Sequence, residues 1–243
     1  MSIALNKKKL LFALMCTLMM TMLMGMKTRA EEPENCKIII GDSRVCSLIC
    51  TLGLDESYIK TYESVEGAVW DAVLYKNGTW FIMCAQGGGY GKNGAYDRAA
   101  KRAIALYNSN DRFKNCLNVT FINMFAFNDL FVDYQDGRAA SAYYLKNDVE
   151  YASMIYGCQK IYQFNAGPVD ESGSTGWKYG ITNDRVKAYN KYYVSTPAVN
   201  VVDFYTYLDT VGYKGAITDA DGTGIHYDIA TNMNIMNLLT VLN

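Results

Sequence analysis

The chain has 243 residues, a formal charge of −1 at pH 7 and 50% hydrophobic residues. Once a leader is removed, that length suits one α/β domain with a substantial core, and the absence of a basic run beyond the leader excludes nucleic acid as the expected partner. Six cysteines lie beyond residue 30 without CxxC…CxxC spacing, and the chain has one histidine, so no metal site or cofactor is expected.

The first thirty residues read as a secretory signal peptide. Lys7, Lys8 and Lys9 precede an uncharged apolar stretch from Leu10 to Met26, and Thr28-Arg29-Ala30 is followed by Glu31-Glu32. The alternative is an uncleaved anchor, because the apolar run nearly spans a bilayer. Either way residues 31–243 are expected to be secreted or at the cell surface, touching membrane only through this segment. Cys16 lacks the small residues that precede a lipidated cysteine. Cleavage removes five basic residues and no acid, which takes the charge to −6.

Beyond the leader, short apolar runs recur: "KIII" (37–40), "TWFIMC" (79–84), "VTFINM" (119–124), "KIYQFN" (160–165) and "VNVVDF" (199–204). They are rich in Ile, Val, Phe and Tyr and read as buried strands. Lys76-Asn77-Gly78 before the second run is a hairpin signal, which predicts a small antiparallel addition there. Helical patterns fill the intervals. Residues 96–109 put Ala99, Ala103, Leu106 and Tyr107 on one face; 141–157 and 182–193 behave similarly. A closing helix near 231–243 would pack through Ile235, Leu238, Leu239 and Leu242. The expected architecture is one three-layer α/β/α sandwich, flavodoxin-like, on a five-stranded, mainly parallel sheet. Cys36, Cys116 and Cys158 each precede an apolar run, which puts all three near one sheet edge, as a disulfide pair or as buried thiols.

Ligands of such sheets bind beyond the carboxyl ends of the strands. The first run leads into "GDSRV", where Ser43 or Asp42 could cap a helix or Ser43 could present its hydroxyl. The second leads into "AQGGGYG", which lacks the Lys-Ser/Thr of a P-loop and the G-x-G-x-x-G spacing. The third leads into "FAFNDL", with Asn128 and Asp129 as turn residues or Asn128 as an amide donor. After the fifth comes "DADGTGIHYD", which holds His226. A lone histidine is more often structural, but this one falls at the functional edge.

Taken in order, Ser in "GDSRV", Gly in "QGGGYG", Asn in "AFNDL" and His in "DGTGIHYD" resemble the SGNH (GDSL-like) hydrolase superfamily, from about Lys37 onward. The likeness extends to a group of exported bacterial members with GDSR in the first block and DG-x-HY in the last. The resemblance implies a serine esterase without cofactor. Ser43 would attack the ester carbonyl, with His226 as general base and then general acid. The Ser43 N–H, Gly87 or Gly88, and Asn128 would form the oxyanion hole, each donor being worth about 3 kcal/mol in the transition state. Asp221 would orient the imidazole.

Two positions depart from the family pattern. Ala126 stands where its third block has glycine, which would narrow the cleft. Thr223 stands three residues before His226, where the family has aspartate, and Asp221 lies five before. Either a bulged loop returns Asp221 (less readily Asp219) to the ring, or a backbone carbonyl orients it as a Ser-His dyad. The expected substrate is a small or glycan O-acyl ester, with acetyl groups on carbohydrate or cell-envelope glycan favoured by export and family habit. The alternatives are an O-acyltransferase, or a noncatalytic surface domain that binds glycan or protein.

Overall fold

The computed structural model describes residues 34–52, 59–66, 68–131, 137–211 and 223–242. The expected leader, Asp219 and Asp221 lie outside them. Seven strands form one sheet in the order β2-β3-β4-β1-β5-β6-β7. They are β1 (Asn35–Gly41), β2 (Ile59–Glu66), β3 (Val69–Lys76), β4 (Thr79–Gln86), β5 (Asn118–Met124), β6 (Cys158–Phe164) and β7 (Asn200–Val202). The helices are α1 (Ser43–Leu52), α2 (Ala95–Asn108), α3 (Asp111–Lys114), α4 (Arg138–Ser153), α5 (Ser174–Tyr179), α6 (Asn183–Asn190), α7 (Phe204–Thr210) and α8 (Ile229–Val241).

The five runs read from the sequence are the five parallel strands, and β1 lies between β4 and β5. The strand count of five is corrected to seven, because β2 and β3 extend the sheet antiparallel. β3 and β4 join through Asn77 and Gly78, both at positive φ (50° and 75°), the backbone a tight hairpin requires. β2 is an edge strand of sequence IKTYESVE; its charges blunt the edge and erase the apolar signature.

Successive residues of β1 feed opposite cores. Ile38 and Ile40 pack with Ala99, Ala103 and Tyr107 of α2, Tyr144 of α4 and Tyr189 of α6. Ile39 packs with Val45 and Leu48 of α1, Leu208 of α7, and Ile235 and Leu239 of α8. This alternation makes the three layers. Lys37 shares the parity of Ile39 and is 2% exposed. Its ammonium donates to the carbonyls of Leu239 (2.7 Å), Thr240 (2.8 Å) and Leu242, filling acceptors that the last turn of α8 leaves open. Burial pulls its pKa down to about 8, so it remains largely charged at neutral pH.

Several tyrosines are fully buried, because their hydroxyls have buried partners. Tyr96 donates to Asp148 at 2.7 Å, and Asn123 Nδ2 reaches both oxygens of that carboxylate at 3.0 and 3.1 Å. Burial raises the Asp148 pKa to about 7, against the lowering effect of both donors. The folded protein therefore keeps a proton that the unfolded chain releases near pH 4. Stability falls as pH rises from about 4 to about 7, then levels off. Asp148→Asn removes this titration. The urea midpoint of the variant is expected to decline less than that of the parent between about pH 5 and 7.5; equal slopes would assign the dependence to another group.

Candidate active site

β1 ends at Gly41, where a Cβ would come within 2.2 Å of Val45 Cγ2 and 3.3 Å of Met124 Cβ. The chain turns directly into α1, and Asp42 supplies the cap. Its Oδ1 accepts the Arg44 N–H at 3.0 Å, and its carbonyl accepts the N–H groups of Val45 and Cys46. Ser43 is thus the first helical residue, with its hydroxyl released from capping. Ser43 Oγ lies 2.9 Å from His226 Nε2, and both side chains are partly exposed. Its own N–H has no carbonyl one turn back within the helix and sits at the positive end of the helix dipole.

The residues flanking Ser43 are locked to each other. Arg44 Nη2 and Nε bind the Asp42 carboxylate at 3.1 and 3.3 Å, with the two side chains 6% and 1% exposed. The Arg44 guanidinium lies 4.6 Å from the centre of the Phe127 ring and beside the phenol of Tyr227, the residue after His226. Burial disfavours the guanidinium charge, but Asp42 and Tyr227 more than offset this and raise its pKa.

The glycine segment follows β4. Gly89 folds back, its N–H donating to Gln86 O at 3.0 Å, and an added Cβ would meet Gln86 O, Ala95 and Phe125 within 2.9 Å. Gly87 and Gly88 are exposed, with open space where a Cβ would stand. The thiol of Cys46, one turn along α1 from Ser43, lies beside Gly87. Burial pushes that thiol up to about 12, which keeps it neutral and no rival nucleophile.

Asn128 and Asp129 staple this segment. Asn128 Nδ2 donates to Gly89 O at 3.0 Å, and Asp129 Oδ1 accepts the Gly91 N–H at 3.2 Å. Tyr144 donates to the other Asp129 oxygen, and burial raises this carboxyl to about 6 despite that bond. The sequence offered Asp129 only as a turn residue; its position between Asn128 and a buried leucine was the available signal that it faces inward.

The histidine segment does not follow the fifth parallel strand directly, as the sequence had suggested. α7 intervenes, its first turn capped by Asp203. The segment docks on the loop after β6: Asp170 N–H donates to Gly224 O at 2.9 Å, and a Cβ on Gly224 (φ 81°) would lie 2.4 Å from Asp170 O. Thr223, three residues before the histidine, places Oγ1 3.3 Å from His226 Nδ1. When Nδ1 carries the proton, it donates a hydrogen bond to Thr223 Oγ1, and Nε2 is left to accept from Ser43. Asp228 caps α8 by accepting the Thr231 N–H at 2.6 Å, which fixes the far side of the loop.

Ser43 and His226 are therefore in direct contact, and Asn128 is joined to the glycine segment; Asp221 falls outside the described residues. Arg44, Tyr227, Asp129 and Thr223 complete the surroundings. No family model and no curated protein matches the chain. Among solved structures it is similar to a lipase/acylhydrolase from Enterococcus faecalis, at 12% identity over 85% of this chain and 93% of that one, TM-score 0.46. It is also similar to an acetylxylan esterase from Geobacillus stearothermophilus, at 12% identity over 85% and 92%, TM-score 0.48. Both neighbours are named as ester-cleaving enzymes.

Proposed function

We propose that this protein is an exported serine esterase of the SGNH type that hydrolyses O-acyl esters, with acetyl groups on carbohydrate or cell-envelope glycan as its substrate class. The observation that carries the reading is the 2.9 Å contact between Ser43 Oγ and His226 Nε2, beyond the carboxyl end of a central parallel strand. Ser43 Oγ attacks the acyl carbonyl as its proton passes to Nε2. The tetrahedral oxyanion is held by the Ser43 N–H, a glycine N–H and the second Asn128 N–H. Gly87 or Gly88 is the glycine donor. Collapse expels the alcohol, which takes the proton back from Nε2, and water then repeats the sequence on the acyl-enzyme. Asp221 is the acid proposed to stabilise the imidazolium, with the Thr223 contact supporting the ring's orientation.

A fluorophosphonate probe tests this directly. One equivalent is expected on Ser43 of the parent protein, found by peptide mapping, and none in His226→Ala. Absence of labelling between about pH 6 and 9 would overturn the esterase reading and leave a binding domain. Added sugar acceptors that capture the acyl group in preference to water would turn the assignment from hydrolase to transferase.

A further inference from the structure

The six cysteines of the described residues carry free thiols, and three of them gather at the amino end of the sheet, away from Ser43. Cys36 opens β1, Cys116 lies between α3 and β5, and Cys158 opens β6. Cys36 and Cys116 belong to one buried cluster, and Cys158 packs against it. Tyr107 lies beside all three.

Strand register separates the candidates. Cys36 is opposite Val119 of β5, and Val119 is opposite Cys158 of β6. Cys36 and Cys158 are therefore two strand spacings apart, about 9–10 Å between backbones, beyond the roughly 7 Å a disulfide spans. Cys84 is opposite Ile40, four residues along β1 from Cys36, and is further still. Cys116 is different. Its segment is tied to the start of β1 by Leu117 N–H to Glu34 O (3.1 Å) and Asn118 Nδ2 to Asn35 Oδ1 (2.9 Å), and its side chain, whose thiol donates to Arg112 O at 3.6 Å, lies beside Cys36 in the same buried cluster.

We propose that Cys36 and Cys116 are a disulfide-forming pair, with Cys158 a bystander. The two thiols are unequal. Contact with Cys36 holds Cys116 below the ordinary thiol range, whereas burial holds Cys36 well above it. Cys116 is thus the sulfur that attacks an incoming disulfide, such as oxidised glutathione or an oxidised dithiol catalyst. One half of that oxidant leaves as a thiol, and a mixed disulfide forms on Cys116. Cys36 then loses its proton and displaces the second half, also as a thiol. Overall two protein thiols become one disulfide and one oxidant disulfide becomes two thiols. The bond ties β1 to the entry of β5 and closes a loop of roughly eighty residues, which favours a large stabilisation.

The test is incubation of the native protein with oxidised glutathione, followed by alkylation and non-reducing peptide mapping. The peptides of Cys36 and Cys116 are expected to be joined in the parent and in Cys158→Ser, with the melting midpoint raised by about 5–10 °C and restored by a dithiol reductant. Cys36→Ser and Cys116→Ser should yield no joined pair. The mapping in the parent requires no variant to fold. A Cys36–Cys158 link, glutathione held on Cys116 with Cys36 still alkylatable, or no loss of thiols would each overturn the proposal.

Discussion

Ser43→Ala is expected to lower kcat/KM for p-nitrophenyl acetate by roughly 10⁴- to 10⁶-fold, and His226→Ala by a similar factor. The two groups act as one unit across 2.9 Å, so neither retains its function without the other. The double variant should therefore be no slower than the slower single variant, whereas independent contributions would multiply. The fold should not change in Ser43→Ala, because the cap of α1 belongs to Asp42 and the Ser43 hydroxyl is not part of it. Circular dichroism and the melting midpoint are the controls. A Ser43→Ala protein that keeps more than about 1% of parent activity would remove Ser43 from the role of nucleophile.

Arg44→Met is expected to cost about 3–5 kcal/mol of stability, the usual penalty for leaving a buried charge without its partner. Asp42 is 1% exposed and the Arg44 guanidinium is its counter-ion. The loss should also reach the chemistry, since Asp42 and Arg44 flank Ser43 and Arg44 lies beside the residue that follows His226. The compensating variant is Asp42→Asn in the Arg44→Met background. Asparagine caps a helix about as well as aspartate and carries no charge, so most of the lost stability should return. Urea midpoints of the parent, single and double variants make the comparison. Equal losses in the single and double variants would place the role of Arg44 in its packing on Phe127, not in the ion pair.

Strands β1, β4 and β5 were legible because each is almost wholly buried and reads as a continuous apolar run, whereas β6 and the edge strand β7 are only partly buried and showed through their Ile, Tyr, Phe and Val content. The Asn77-Gly78 hairpin was legible because few residues accept consecutive positive φ. β2 was not, since an edge strand has no need of apolar residues on both faces and carries Lys60, Glu63 and Glu66. Ser43 and Asn128 stood out as polar residues just beyond strand ends, and His226 as the single histidine of the sequence. Their supports did not, because each depends on a contact distant in sequence. Asp129 matters through Gly91, Arg44 through Phe127 and Tyr227, and Gly224 through Asp170. "GDSRV" itself held a division of labour that local residues could not apportion: aspartate caps the helix and serine faces the histidine.

Lys37 bears on how far apart in the chain the two halves of one buried contact can lie. It sits in β1, at the centre of the sheet, and its acceptors are carbonyls 202 to 205 positions later. Until α8 is docked that ammonium has no buried site to enter, so a chain shortened before Leu239 either leaves its central strand solvated or strands a charge.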